Sequence, residues 1–75
     1  MKLSFSIHFQ EAVFERNINI DHLKKVIHES DQSYSTFGER TVARKVVDGK
    51  TLEVVYTRGG KNEYRIITAY YILSE

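Results

Sequence analysis

The spacing of the apolar positions changes from helical to strand-like about half way along the chain. In the first half, apolar residues recur every three or four positions in two stretches, which predicts helices over residues 8–16 and 20–30. Asn17 tolerates the left-handed conformation that ends many helices. Asn19 is a favoured N-cap residue, and Asp21 behind it suits the first turn of the second helix. The sequence therefore predicts two short helices with a break at residues 17–19.

In the second half, the apolar spacing changes to two and predicts strands over residues 33–37, 41–47, 51–58 and 64–73, of which the two middle segments are rich in valine. Asp48-Gly49 is the strongest hairpin signal, and a second turn is expected at residues 59–62. Residues 3–7 alternate apolar residues with serine, which fits either a short strand or an extended lead-in. The predicted fold is α+β, with two N-terminal helices packed on a three- to four-stranded antiparallel meander sheet.

The first hairpin also suggests a register. A three-residue loop ending in Gly49 segregates the apolar side chains better than a two-residue loop, and it would pair Val42 with Val54. Lys45 would then share the open side of the sheet with Thr68 and Tyr70, while Arg44 would face the helices. The residues expected in the core are Phe9, Val13, Leu23, Ile27, Val46, Leu52, Val54 and Ile67.

Length and composition limit the classes of protein that are worth considering. The chain has 75 residues, a mass of 8.8 kDa and no cysteine, so we expect one domain over residues 1–75 without disulfides or thiolate metal sites. His22 and His28 are six positions apart on one helix and lack further ligands, so no metal or other cofactor is expected. No stretch is apolar enough for a signal sequence or a membrane helix, and a cytoplasmic location is the expectation.

The net charge of +1 does not predict a nucleic-acid partner, but the charge is unevenly distributed. Four of the five arginines lie in the second half, at positions 40, 44, 58 and 65. A sheet with its own positive field can attract phosphate groups. The alternative is that these cations protect sheet edges from aggregation.

A small group of residues is suited to acid–base chemistry without a metal. His8 lies on one predicted helix face with Glu11 and Glu15, and Arg16 is placed to reach toward the sheet. Thr68 and Tyr70 are two positions apart and so point to one side of the last strand. Each of these residues also has an ordinary structural explanation, as a surface ion pair or as a good strand former.

Two segments carry a resemblance to a known family. The stretch HFQEAVFERNINIDHLKKVIHES and the ending EYRIITAYY resemble the opening helices and closing strand of small prokaryotic domains of unknown function. That family is grouped with RelE-like and BrnT-like proteins in the barnase–EndoU–colicin–RelE superfamily. The resemblance implies a RelE-like fold and metal-independent RNA cleavage, often by the toxin of a toxin–antitoxin pair. Its partners would be RNA and an antitoxin protein.

The resemblance also implies roles for particular residues. His8, Arg16 and Thr68 fall on motif positions of the family, with Tyr70 beside them, and form the predicted catalytic set. The cations of the predicted sheet, Arg44, Lys45, Arg58 and Arg65, are the expected RNA-binding residues, although Arg44 and Lys45 match no motif position of the family. The stretch QEAVFER lacks the second basic residue that the family often carries there.

A non-catalytic module that binds RNA or another protein remains the alternative function. Loss of RNA cleavage on removal of His8 or Arg16, with folding intact, would separate the two. The oligomeric state stays open.

Overall fold

The computed structural model describes residues 1–72. The bounds of its elements are β1 Lys2–Phe5, α1 Ile7–Glu15, α2 Ile20–His28, β2 Gln32–Thr36, β3 Arg40–Val47, β4 Lys50–Arg58 and β5 Glu63–Ile72. These elements confirm the predicted α+β class. The end of the last predicted strand, at residue 73, lies outside the described residues. Within residues 1–72, neither helix has the length and hydropathy needed to cross a membrane.

Both helices begin at caps that the local sequence supplies. Ser6 Oγ accepts a backbone N–H from the first turn of α1 at 3.3 Å, and Asn19 Oδ1 does the same for α2 at 2.8 Å. Asn17 follows α1 with a φ of 52°, as expected for a residue that ends a helix in the left-handed region. α2 ends at His28, two residues earlier than predicted.

The sheet has five strands in the order β1-β5-β4-β3-β2. Strands β2 to β5 form the predicted antiparallel meander, but β1 adds a parallel strand beside β5. The sheet is therefore mixed and larger than the three or four strands expected. Leu3 and Phe5 of β1 pair with Tyr64 and Ile66, and both pack against the core. Both helices and strands β2 to β4 lie between these parallel strands in the chain, which is far longer than the crossover that a parallel pair requires.

The first hairpin differs from the predicted register by one residue. Its loop has two residues, Asp48 and Gly49, with φ of 53° and 77°, and Val47 pairs with Lys50. Positive φ at both positions is typical of the type I′ turn, whose twist matches that of the flanking strands. The turn geometry outweighs the apolar segregation that favoured a longer loop. As a result, Lys45 pairs with Leu52, and its side chain is on the side of the sheet that faces the helices.

The second hairpin contains an irregularity that the sequence did not reveal. Arg58 pairs with Tyr64 and Val54 with Ala69, whereas the predicted partners were one and two positions earlier. A β-bulge between these pairs leaves Ile67 without a direct partner on β4. Bulges of this kind redirect the side chains that follow them.

The core lies between the helices and one face of the sheet. α1 packs against β5, and α2 packs against β3 and β4. The buried cluster is Phe9, Ile18, Leu23, Val26, Ala43, Val47, Leu52, Val54, Tyr56, Ile66 and Ala69. Four predicted core residues belong to it: Phe9, Leu23, Leu52 and Val54.

The remaining core predictions follow the register. Val13 and Ile27 pack against the cluster from partly buried positions. Val46 is 58% exposed, so its predicted core position was wrong, and Val47 is buried instead. Ile67 is only partly buried because it lies in the bulge, and Ile66 takes the core position.

Candidate functional site at the edge of the open face

The face of the sheet opposite the helices carries a mixture of arginine, tyrosine and small polar residues. We call it the open face, and it follows from the strand register and the alternation of side chains. Its residues include Ser4, Tyr34, Arg40, Val42, Arg44, Glu53, Val55, Thr57, Arg65, Thr68 and Tyr70. Arg40 and Arg65 are both opposite Thr57, so the two cations share one row across the sheet.

A cleft of about 400 Å³ lies at the edge of this face, between α1, the start of β3 and β5. Its lining includes His8, Arg16 and Thr68, three of the four residues predicted as catalytic. Arg40 joins them from the start of β3. The fourth predicted residue, Tyr70, is two positions along β5 from Thr68 on the same face and does not line the cleft. The remainder of the lining is Ser6, Phe9, Ala12 and Ile67.

The helix presents its contribution to the cleft at a spacing of four residues. His8, Ala12 and Arg16 lie one turn apart and so point to the same side of α1. The small side chain of Ala12 leaves room between the imidazole and the guanidinium. Glu11 and Glu15, which the sequence grouped with His8, do not line the cleft. The charged groups that line the cleft are therefore the guanidinium groups of Arg16 and Arg40, beside the imidazole of His8.

Arg16 reaches the sheet, as predicted. Its Nη1 donates to the backbone carbonyl of Ala69 at 2.7 Å and to Oγ1 of Thr68 at 3.4 Å. Nearby, Ser6 Oγ donates to the carbonyl of Ile67 at 2.9 Å. β1 ends before this part of β5, and these two side chains bind edge carbonyls that no strand covers. The contacts fix the guanidinium and the bulge relative to each other.

A buried carboxylate occupies the middle of the open face. Glu53 is only 4% exposed, and it lies between Arg44 and Tyr70. The Arg44 guanidinium and the Tyr70 hydroxyl each donate a hydrogen bond to it. The hydrogen bond and the charge of Glu53 raise the pKa of Arg44 above its ordinary value. The charge of Arg44 is thus balanced by that of Glu53, and the hydroxyl proton of Tyr70 is used in its hydrogen bond to Glu53.

Sequence reasoning missed both Arg40 and Glu53. Glu53 stood as a single acid within the valine-rich segment TLEVVY, which in retrospect is a signal for a paired charge. Arg40 carried no comparable signal, because its place in the cleft depends on the register of three strands.

The other predicted RNA-binding residues are distributed over different surfaces. Arg65 lies on the open face, whereas Lys45 lies on the helix side, and its Nζ is 3.5 Å from Oδ1 of Asp31. The predicted open-face position of Lys45 was therefore wrong, because the hairpin loop has two residues rather than three. Arg58 is at the far end of β4 on the helix side, with its guanidinium 5.5 Å from the ring centroid of Tyr64.

Within the described part of the chain, no group of three histidine, aspartate or glutamate side chains is placed to hold a metal ion. The guanidinium groups of Arg16 and Arg40 line the cleft and are suited to bind an anion. The cleft is therefore chemically suited to a phosphate group.

A family model described as "Domain of unknown function (DUF4258)" matches residues 5–71, which is most of the chain. The protein belongs to this family of domains of unknown function. Searches of curated proteins and of solved structures found no significant match.

Proposed function

We propose that this protein is a metal-independent endoribonuclease that binds RNA across the open face and cleaves it in the cleft. The observation that carries the proposal is the convergence of His8, Arg16, Arg40 and Thr68 in one cavity. These residues come from a helix and two non-adjacent strands. A phosphate group between the two guanidinium groups would lie beside a histidine that is able to transfer protons.

The surroundings of the cleft suit a single-stranded polynucleotide. Arg65 extends the row of cations beyond Arg40, and this gives the strand further phosphate contacts. Tyr34 and Tyr70 are 53% and 38% exposed on the same face. Aromatic rings at such positions provide stacking surfaces for unpaired bases.

The proposed reaction is transesterification within the RNA. The 2′-oxygen attacks the adjacent phosphorus, the bond to the 5′-oxygen breaks, and the products are a 2′,3′-cyclic phosphate and a 5′-hydroxyl. His8 transfers a proton at the reacting oxygens, and Arg16 and Arg40 stabilise the charge that builds on the phosphorus centre. Thr68 orients Arg16 through its Oγ1. Tyr70 contributes its ring rather than a proton, because its hydroxyl donates to Glu53.

A non-catalytic RNA-binding module is the second candidate. Among the residues that line the cleft, His8 is the single histidine, the residue type that acts most often as a general acid or base. Transesterification needs a base for the 2′-hydroxyl and an acid for the leaving oxygen. One histidine supplies both functions only if it acts first as the base and then as the acid, or if a water molecule takes one of the two roles.

The proposal includes a relationship to RelE-like and BrnT-like toxins, with an antitoxin protein as partner. Support comes from the resemblance in sequence and from two exposed apolar side chains of α1, Ile7 and Phe14, which are 79% and 84% exposed. Exposed apolar surfaces often mark protein interaction sites. Growth arrest on expression, relieved by His8→Ala, would support the toxin role, and normal growth with active enzyme would contradict it.

The test of the enzymatic proposal compares wild-type protein with His8→Ala and His28→Ala, all purified identically. His28 is an exposed histidine of α2 away from the cleft, so it is a matched control. We expect cleavage of a single-stranded RNA in EDTA, a loss of roughly 100-fold or more in His8→Ala, and no loss in His28→Ala. Equal activity in the two variants would contradict the assignment of His8.

Binding is measured on the same samples by fluorescence anisotropy. RNA binding without cleavage by any of the three proteins would favour the non-catalytic module. Absence of both binding and cleavage at low salt would contradict both candidates.

A further inference from the structure

A second polar cavity lies on the other side of Arg16. It has a volume of about 530 Å³ and is enclosed by the start of α2, the β3–β4 turn and the end of β5. Its polar and aromatic lining comes mainly from Arg16, Asn17, Asn19, His22, Lys50 and Tyr71. Arg16 also lines the cleft on the open face, so the guanidinium forms a wall common to the two cavities.

Two cations, Arg16 and Lys50, line this cavity together with one carboxylate, that of Asp48. Arg16 uses Nη1 for its two contacts with β5, while its Nε and Nη2 form no hydrogen bond within residues 1–72. Lys50 forms no ion pair among these residues, and its Nζ lies 5.4 Å from the ring centroid of Tyr71. An arginine and a lysine facing one cavity are the usual partners of a phosphate group.

His22 lies at the wall of this cavity. Its Nδ1 is buried and has no hydrogen-bond partner within the described residues, so a ligand in the cavity does not reach this atom, whereas its Nε2 is 3.4 Å from Oδ2 of Asp48. The carboxylate of Asp48 also lines the cavity, but it is 80% exposed, so its charge is largely screened by solvent. Arg16 and Lys50 are therefore the charged donors that are available to a ligand.

We propose that this cavity binds the phosphate of a nucleotide, with Arg16 and Lys50 as the charged contacts. Its volume is within the range of small-molecule sites, and larger than a bare phosphate needs. The nucleotide is either a free mononucleotide or one unit of an RNA strand. The inference does not depend on RNA cleavage, because Lys50 does not line the cleft and Arg16 is the one charged contact common to the two cavities.

The experiment is a titration of ¹⁵N-labelled protein, followed by the backbone amide shifts of residues 17–19 and 48–50. The probes are 5′-AMP, adenosine and a short single-stranded RNA. We expect 5′-AMP to shift these amides in a saturable way and adenosine not to do so, because the phosphate provides the charged contacts. Shifts of the same amides by RNA alone would identify the ligand as a strand rather than a free nucleotide. If neither 5′-AMP nor RNA shifts them, the proposal is wrong.

Variants test the residues. Lys50→Gln should weaken binding of the active probe about tenfold, as expected for the loss of one charge-assisted hydrogen bond. Lys24→Gln removes the same charge from an exposed position of α2 and should leave the affinity unchanged. An equal loss of affinity in Lys24→Gln and Lys50→Gln would reduce the effect to general electrostatics and overturn the proposal.

Discussion

Replacement of Arg40 by glutamine tests whether RNA lies on the open face, and its effect appears in the salt dependence of binding. Arg40 lines the cleft and forms no ion pair within residues 1–72. Arg44, by contrast, is compensated by Glu53. The cations that remain for phosphate groups are Arg16 and Arg40 in the cleft and Arg65 beside them on the open face.

The magnitude follows from this number of contacts. Each phosphate contact of a single strand contributes about 0.7 to the slope of log K against log salt concentration, so three contacts predict a slope of about −2. The binding constant of the parent protein should then fall about 20-fold between about 50 and 200 mM salt. With Arg40→Gln the slope should be about −1.4, and the same change in salt should cost about sevenfold.

The assay is fluorescence anisotropy with a labelled single-stranded RNA of about 12 nucleotides. All proteins carry His8→Ala, so that cleavage does not interfere. Lys45→Gln is the matched control, because it removes one charge from the helix side, where Lys45 lies close to Asp31. A slope in Arg40→Gln equal to that of the parent would refute the reasoning, as would an equally reduced slope in Lys45→Gln.

Three further predictions concern stability. Glu53→Gln should lower the free energy of unfolding by about 1 kcal/mol, because an amide replaces a buried carboxylate that accepts two hydrogen bonds; urea denaturation measures this, and an unchanged or higher midpoint would contradict it. Gly49→Ala should cost about 1 kcal/mol in the same assay, since φ is 77° and the turn type depends on it; no loss would mean that the turn relaxes. Burial raises the pKa of Tyr56, so the native state retains a proton that the unfolded state releases above a pH of about 10. Its contribution to stability is therefore complete below that pH and lost as the pH rises further. Tyr56→Phe should reduce the alkaline loss, and identical pH profiles would contradict this.

Local features of the chain were predictable because neighbouring residues determine them. The cap at Asn19 acts over two positions, and the left-handed conformation of Asn17 is a tendency of that residue itself. The change from helical to alternating apolar spacing was enough to predict an α+β fold, because each element buries one face. The placing of Thr68 and Tyr70 on the open side also agreed with the structure.

The composition of the candidate site was decided by tertiary structure. The two-residue turn at Asp48 and Gly49 shifts β3 by one position and exchanges the faces of Arg44 and Lys45. The bulge at Ile67 changes which residues of β5 pair with those of β4.

The contents of the cleft and the buried carboxylate depend on pairings between distant segments. The apolar period of a strand is two, so it specifies which residues alternate but not which of the two sets faces the helices. Arg40 reaches the cleft, and Glu53 finds Arg44 and Tyr70, only after turn geometry and strand pairing have chosen one register.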